Sequence, residues 1–206
     1  EIFDQEASDR AFEEEVMLVG FGEAAVKQEG SAVQFDTAQE SFTARYTHET
    51  VALAFSLTEE AVEDNLYDTL SARYTRSLAR SMAYTKQVKA ANILNNAFST
   101  AGGDGVSLVN TAHPTALGGT FSNRNSTDAD LNETSLEQAM IDIAGFIDER
   151  GLKIAMQGRK LIIPVNIQFV ADRILKSTLR VGTSDNDINA LRNMGMLPEG
   201  YVINHY

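Results

Sequence analysis

Apolar positions change their period several times along the chain. Up to Gly20 they are sparse: Glu1, Asp4, Glu6, Asp9, Glu13, Glu14 and Glu15 stand against a single Arg10. This is an acidic arm, predicted helical around Ser8 to Val16, with too few apolar residues to make a domain. From about Ala24 to Leu57 the period is two. Val33 and Phe35 alternate with Gln34 and Asp36, and Phe42, Ala44 and Tyr46 alternate with Thr43, Arg45 and Thr47. The pattern predicts two strands, joined by a turn over Asp36 to Glu40. Beyond His48 the apolar phase slips to Val51, Leu53, Phe55 and Leu57, which predicts a bulge or bend. A two-stranded ribbon of this kind is marginal in water and persists when a partner covers it.

The period then becomes helical. Between Thr58 and Phe98 there is no Gly and no Pro, and Val62, Leu66, Leu70, Tyr74, Leu78 and Met82 step by four. Thr58 predicts the cap, with Glu59, Glu60, Glu63 and Asp64 at the positive end of the helix dipole. A straight helix of that extent spans roughly 60 Å, longer than a compact domain of this size needs, with a bend expected near Tyr84 and Thr85. Residues 99–131 are rich in Ser, Thr, Gly, Asn and Asp and predict a long loop. A second helix is expected from about Ser135 to Arg150, with a capping box at Thr134/Glu137 or Ser135/Gln138 and a stop at Gly151. Leu161 to Pro164 predicts a buried strand. Asn166 is expected to cap a helix running to Lys176, Asp185 to open a shorter helix closed by Gly195, and Tyr201 to Tyr206 to form a strand. Strands alternating with helices imply a small α/β domain with strands missing.

Composition narrows the function classes. With 43% hydrophobic and 22% charged residues the chain is globular rather than disordered. It has no apolar run near the ~20 residues of a membrane span, and its acidic opening, Glu1-Ile2-Phe3-Asp4, is no signal peptide and reads as an interior cut. The chain has no cysteine, which excludes disulfides and thiolate metal sites. A formal net charge of -12 argues against sequence-specific nucleic-acid binding as the main task, although local basic patches can still face DNA.

Little in the chain points to catalysis. The three histidines, at 48, 113 and 205, are scattered; His113 near Asp104 is the best metal candidate, whereas His113-Pro114 as a fixed turn is the simpler reading. Glu59, Glu60, Glu63 and Asp64 are explained by the first turn of their helix. Gly102-Gly103-Asp104-Gly105 lacks the Lys and Ser/Thr of a phosphate loop, and neither a G-x-S-x-G elbow nor an H-E-x-x-H helix occurs. The basic run from Arg73 to Lys89 suits either nucleic acid or acidic surfaces on neighbouring subunits, and Tyr67, Tyr74 and Tyr84 suit packing. A long ribbon, an overlong helix and an acidic arm together describe an interlocking building block.

Four stretches carry a family resemblance: ALAFSLTEEAVEDNLYDTL (52–70), GGDGVSLVNTAHPTALGGTFSN (102–123), LIIPVNIQFVADRILKS (161–177) and NDINALRNMGMLPEGYVINHY (186–206). In wording and order they resemble the Mu-type major head subunits, a branch of the Hong Kong 97-type capsid proteins of tailed phages. The resemblance implies an α+β Hong Kong 97-type fold. Residues 1–23 would be the N-terminal arm and 24–57 the extended β-hairpin loop lying over a neighbour. Residues 58–151 would be the peripheral domain with its spine helix over 58–98, and 152–206 the start of a mixed α/β axial domain, truncated here. It further implies hexamers and pentamers of this chain, portal and scaffolding partners, packaged double-stranded DNA held non-specifically, and a place in the virion after assembly in the host cytoplasm. No catalytic, cofactor-binding or metal residue is expected. Inter-subunit contacts are expected at Val33, Phe35, Phe42 and Tyr46, and at Glu13 and Glu14 against Arg73, Arg76 and Arg80. An encapsulin-like compartment shell is the nearest alternative. A metal-dependent hydrolase built on His113 and Asp104, or a tail or baseplate protein, is more remote.

Overall fold

A computed structural model describes residues 2–64, 67–125, 127–180, 182, 184 and 187–206. Strand β1 (Phe12–Val19) pairs antiparallel with β2 (Gln39–Thr47), from Phe12 opposite Thr47 to Val19 opposite Gln39. The acidic arm is therefore a strand where a helix was expected: Val16 and Leu18 gain a ladder against β2 that an isolated amphipathic turn lacks. The second strand of the ribbon is accordingly not the 33–35 segment, which is irregular, and Gln39 and Glu40 begin β2 rather than end a turn. The irregularity in the ribbon falls in β1 between Val16 and Leu18, and residues 51–57 form no strand.

Helix α1 (Glu59–Glu63) starts where the cap signal placed it, with the Thr58 hydroxyl accepting from Ala61 N–H. Leu66 lies outside the described residues. The expected single helix over 58–98 is not formed: α1 ends at its Asp64 cap, and the main helix, α2 (Tyr67–Asn95), has 29 residues and extends for about 43 Å rather than roughly 60 Å. No helix among the described residues is long and apolar enough to cross a membrane. The following polar stretch is a loop, as expected, punctuated by a small pair, β3 (His113–Pro114) and β4 (Thr120–Phe121). Helix α3 is Glu133–Ala144, earlier and shorter than the pattern suggested. Asn132 caps it in a reciprocal box with Ser135, and Gly145 ends it before Phe146 turns away. Strand β5 (Leu161–Pro164) pairs in parallel with β6 (Tyr201–Asn204), joined through α4 (Gln168–Lys176) and α5 (Ala190–Asn193). Asn166 sits inside a 3-10 turn and caps nothing by its side chain; Asn189, not Asp185, caps α5, and Asp185 lies outside the described residues.

The one cluster of fully buried apolar residues joins Leu136 and Met140 of α3, Ile174 of α4 and Leu191 of α5, among the described residues. Asn189, 1% exposed, stitches it: its amide donates to Ile174 O at 2.5 Å while its oxygen accepts from Arg192 N–H at 3.2 Å. Tyr201 donates to Asp172 at 3.0 Å, binding β6 to α4. Apolar burial is nevertheless scarce. Nine hydrophobic residues are buried among those described, and the chain leaves 15810 Å² accessible. A compact monomer of 22.5 kDa exposes roughly 9,500 Å². The excess is room for several interfaces of about 800 Å² a side. Replacing Leu136 with Ala opens a cavity in this small cluster and is expected to destabilise the unassembled subunit by about 3 kcal/mol in urea denaturation.

Candidate functional site

The ribbon and the loop beyond it carry the two most exposed large apolar residues among those described, Val26 and Phe35, with several more beside them. Along β1, Phe12, Val16, Met17 and Leu18 are exposed, and only Val19 is buried. Past the ladder, Phe21, Val26, Val33 and Phe35 project from the 20–38 loop, Val26 and Phe35 at 95% and 94% exposure. Within that loop Ser31 N–H closes a turn onto Gln28 O, with Gly30 at φ 80, a backbone setting that glycine adopts freely. Apolar groups this exposed on one continuous segment mark an association surface rather than ordinary surface scatter.

The loop is rooted by a residue that the sequence pattern did not single out. Arg150, whose side chain is 17% exposed, donates to Gly20 O at 3.1 Å and to Thr37 O at 2.6 Å, one carbonyl on each side of the ladder's end. It also stands 3.6 Å from Asp36, which accepts the N–H groups of Gly22 and Thr37 at 2.8 Å each. Those two backbone donors, then the Arg150 charge, hold the Asp36 carboxyl below its ordinary value of 3.8 despite some desolvation. A turn aims the guanidinium: Asp148 accepts from Arg150 N–H and Leu152 N–H, Gly151 N–H returns to Asp148 O, and Gly151 has φ 83. The expected helix through Arg150 would have buried that signal. The only sequence trace is Asp148 and Gly151 bracketing a basic residue. The base of the ribbon is further seated where Gly103 meets β2, since a Cβ there would stand 3.0 Å from Ala44 Cβ.

The expected contact residues divide. Val33, Phe35 and Tyr46 are exposed, whereas Phe42 is half-buried in β2. Glu13 and Glu14, expected to face neighbours, also have partners in their own chain. Glu13 takes Arg10 and the Ser8 hydroxyl, and Glu14 takes Arg45 across the ladder at 2.5 Å. Arg73, Arg76 and Arg80 are exposed on α2.

His113 and Asp104 do come together, at 2.6 Å between Nδ1 and Oδ2. Burial raises the Asp104 carboxyl, but the His113 ring and the Val106 N–H outweigh it and lower its pKa. On the other edge of the ring, Nε2 is 3.2 Å from Asn123 Oδ1, and Asn123 also holds Asn110 N–H and Leu108 O. Among the described residues no group of three or more His, Asp or Glu side chains is placed to hold a metal. The pair belongs to a polar knot that closes the 104–123 loop.

A family model described as phage capsid protein matches residues 40–204. Among solved structures, the capsid of bacteriophage JBD30 is similar, with a TM-score of 0.68 at 11% identity, over 97% of this chain and 86% of that one. No curated protein matches the chain.

Because the Asp36 carboxyl titrates below 3.8 when folded, its contribution is complete above that ordinary value and fades as pH falls through the lower folded one. Hydrogen exchange is therefore expected to show Gly22 and Thr37 amides protected at pH 6 and opening selectively below about pH 4. Arg150→Gln is expected to open the same amides at pH 6 while leaving the α3 amides protected.

Proposed function

This chain belongs to the phage capsid protein family, and we propose that it is the major head subunit of a tailed phage, of the Mu-type branch and with the Hong Kong 97-type fold. As a capsid protein it is a structural component of the bacteriophage head. The single observation that carries the mechanism is the largely exposed apolar segment over 12–47, rooted by Arg150 and most open at Val26 and Phe35. Apolar residues at that density are stable in water only when another surface removes them from it.

In this reading each subunit lays its ribbon and 20–38 loop on a neighbour, and repetition of that contact closes hexamers and pentamers into an icosahedral shell around double-stranded DNA. The 29-residue α2 is the spine of a peripheral part. The parallel β5–β6 pair with α4 and α5 begins an axial part, a division near 152. The arm preceding the loop is better divided from it near Phe12, since β1 belongs to the ribbon. Portal and scaffolding proteins are further partners in assembly, which takes place in the host cytoplasm. The family match supports a phage head over an encapsulin-like compartment. Individual contacts need only be weak, because each subunit makes several at once.

Arg150 holds Gly20 and Thr37 together and Asp36 holds Gly22, so residues 23–35 can be replaced by a short turn without breaking the ladder. That variant is expected to remain a soluble, folded subunit that yields no closed shells in negative-stain microscopy, with the other head proteins supplied. Normal shells would remove the loop from the mechanism.

A further inference from the structure

One side chain in the polar loop faces an acceptor on each edge. The His113 ring has Nδ1 at 2.6 Å from Asp104 Oδ2 and Nε2 at 3.2 Å from Asn123 Oδ1. Asn123 cannot turn its amide to offer a donor instead. Its Oδ1 accepts from Asn110 N–H at 2.9 Å and its Nδ2 donates to Leu108 O at 2.7 Å, so two backbone groups fix its orientation. Asp104 supplies no donor either. Burial opposes its charge, but the His113 and Val106 hydrogen bonds outweigh burial and keep the carboxyl below its ordinary value of 3.8, so it is ionised and only accepts. A neutral imidazole has one N–H and one bare nitrogen, and here the bare nitrogen would turn its lone pair toward an oxygen. A ring carrying both protons satisfies both contacts.

The charges around the ring favour that state. His113 lines a cavity of about 460 Å³ that also takes in Met17 and Leu18 of β1. The other titratable residues of its walls are the acids Asp148 and Glu149, and no Lys or Arg among the described residues lines it. Asp148 accepts from Arg150 N–H and Leu152 N–H, and Glu149 accepts from Ala116 N–H, so neither is spent on a side-chain cation. Across the β3–β4 pair His113 stands opposite Phe121, which carries no charge. Arg124, next to Asn123 in the chain, is engaged by Asp128 and lies over the Phe98 ring.

We propose that His113 is held as the imidazolium and that its second proton clasps the two ends of the 104–123 loop, at Asp104 and Asn123, to the strand between them. The preceding Gly103 abuts Ala44 of β2, so the clasp makes the seat of the ribbon sensitive to pH. Loss of the second proton as pH rises sets a lone pair against Asn123 Oδ1 and opens the clasp. In acid it opens again, as pH falls through the lowered Asp104 value.

The test uses the full chain. At pH 7 both ring nitrogens of His113 are expected to resonate as N–H in nitrogen-15 spectra. The Asn110 and Asn123 amides, which donate within the knot, are expected to be protected about tenfold better at pH 6 than at pH 9, relative to intrinsic exchange rates. Asp104→Asn is expected to move that opening to lower pH, and His113→Gln to abolish its pH dependence, with thermal melting to establish that each variant folds. A bare ring nitrogen in the wild-type chain at pH 7 overturns the proposal, and this readout decides alone where a variant does not fold. Protection that is equal at pH 6 and pH 9 overturns it too, as does an unmoved opening in folded Asp104→Asn, since a merely structural histidine gives both.

Discussion

The constraint on which everything else rests is the shortage of interior. Nine buried apolar residues among those described, with Leu136, Met140, Ile174 and Leu191 as their centre, make a small core for a chain of 206 residues. Folding must offset roughly 1–2 kcal/mol of backbone entropy per ordered residue, and the ribbon returns little of that by itself. Phe12, Val16, Met17 and Leu18 stay exposed while their backbone is held in a ladder. In the proposed shell such a segment would gain its remaining stabilisation from association, with neighbouring subunits covering what one chain leaves exposed.

A reaching segment is useful only if its root is fixed while its end adapts. Arg150 meets this requirement with few atoms. One planar guanidinium binds a carbonyl on each side of the ladder's end, which sets the spacing of the two strands as they leave the body. Asp36 adds backbone donors from Gly22 and Thr37, so the polar groups at the root are satisfied by the chain itself. Beyond them the loop has a single internal turn at Gln28–Ser31 and no ladder. Stiffness therefore ends where the Arg150 contacts end. In the proposed shell, a subunit placed in both five- and six-fold surroundings would need that division.

Much of the architecture was legible because it depends on local signals. The Thr58 cap, the Gly- and Pro-free run that became α2, the polar loop and the β5 and β6 strands all follow from periodicity and capping chemistry. The misreadings share a different cause. Residues 12–16 have no strong local preference for a helix, and a partner 20 to 35 positions away from β1 decides that they pair as strand. Once β1 takes that role, 33–35 loses its partner and becomes loop. The ion pairs of Glu13 and Glu14 were equally hidden, because sequence shows charge without showing that Arg10 and Arg45 stand beside them. Arg150 was invisible for the same reason: its carbonyl partners are 130 and 113 residues away, and any residue type supplies a carbonyl. The His113–Asp104 pair was legible as a contact, but the Asn110 and Asn123 amides that make it a loop closure were not.

The charge distribution separates internal from external roles by the same logic. Pairs within the chain join elements that must not move: Glu14 to Arg45 across the ribbon, Lys160 and Arg159 to Glu199 beside the parallel strands, Arg180 to Glu133 at the start of α3. Each is partly exposed, and such pairs choose a geometry without holding a fold. Arg73, Arg76 and Arg80, exposed on the longest helix without such partners among the described residues, repel one another in the free subunit. Exposed pairs of this strength respond to salt. Contacts weak enough to break singly allow a growing shell to release a misplaced subunit, whereas their number holds the closed one together.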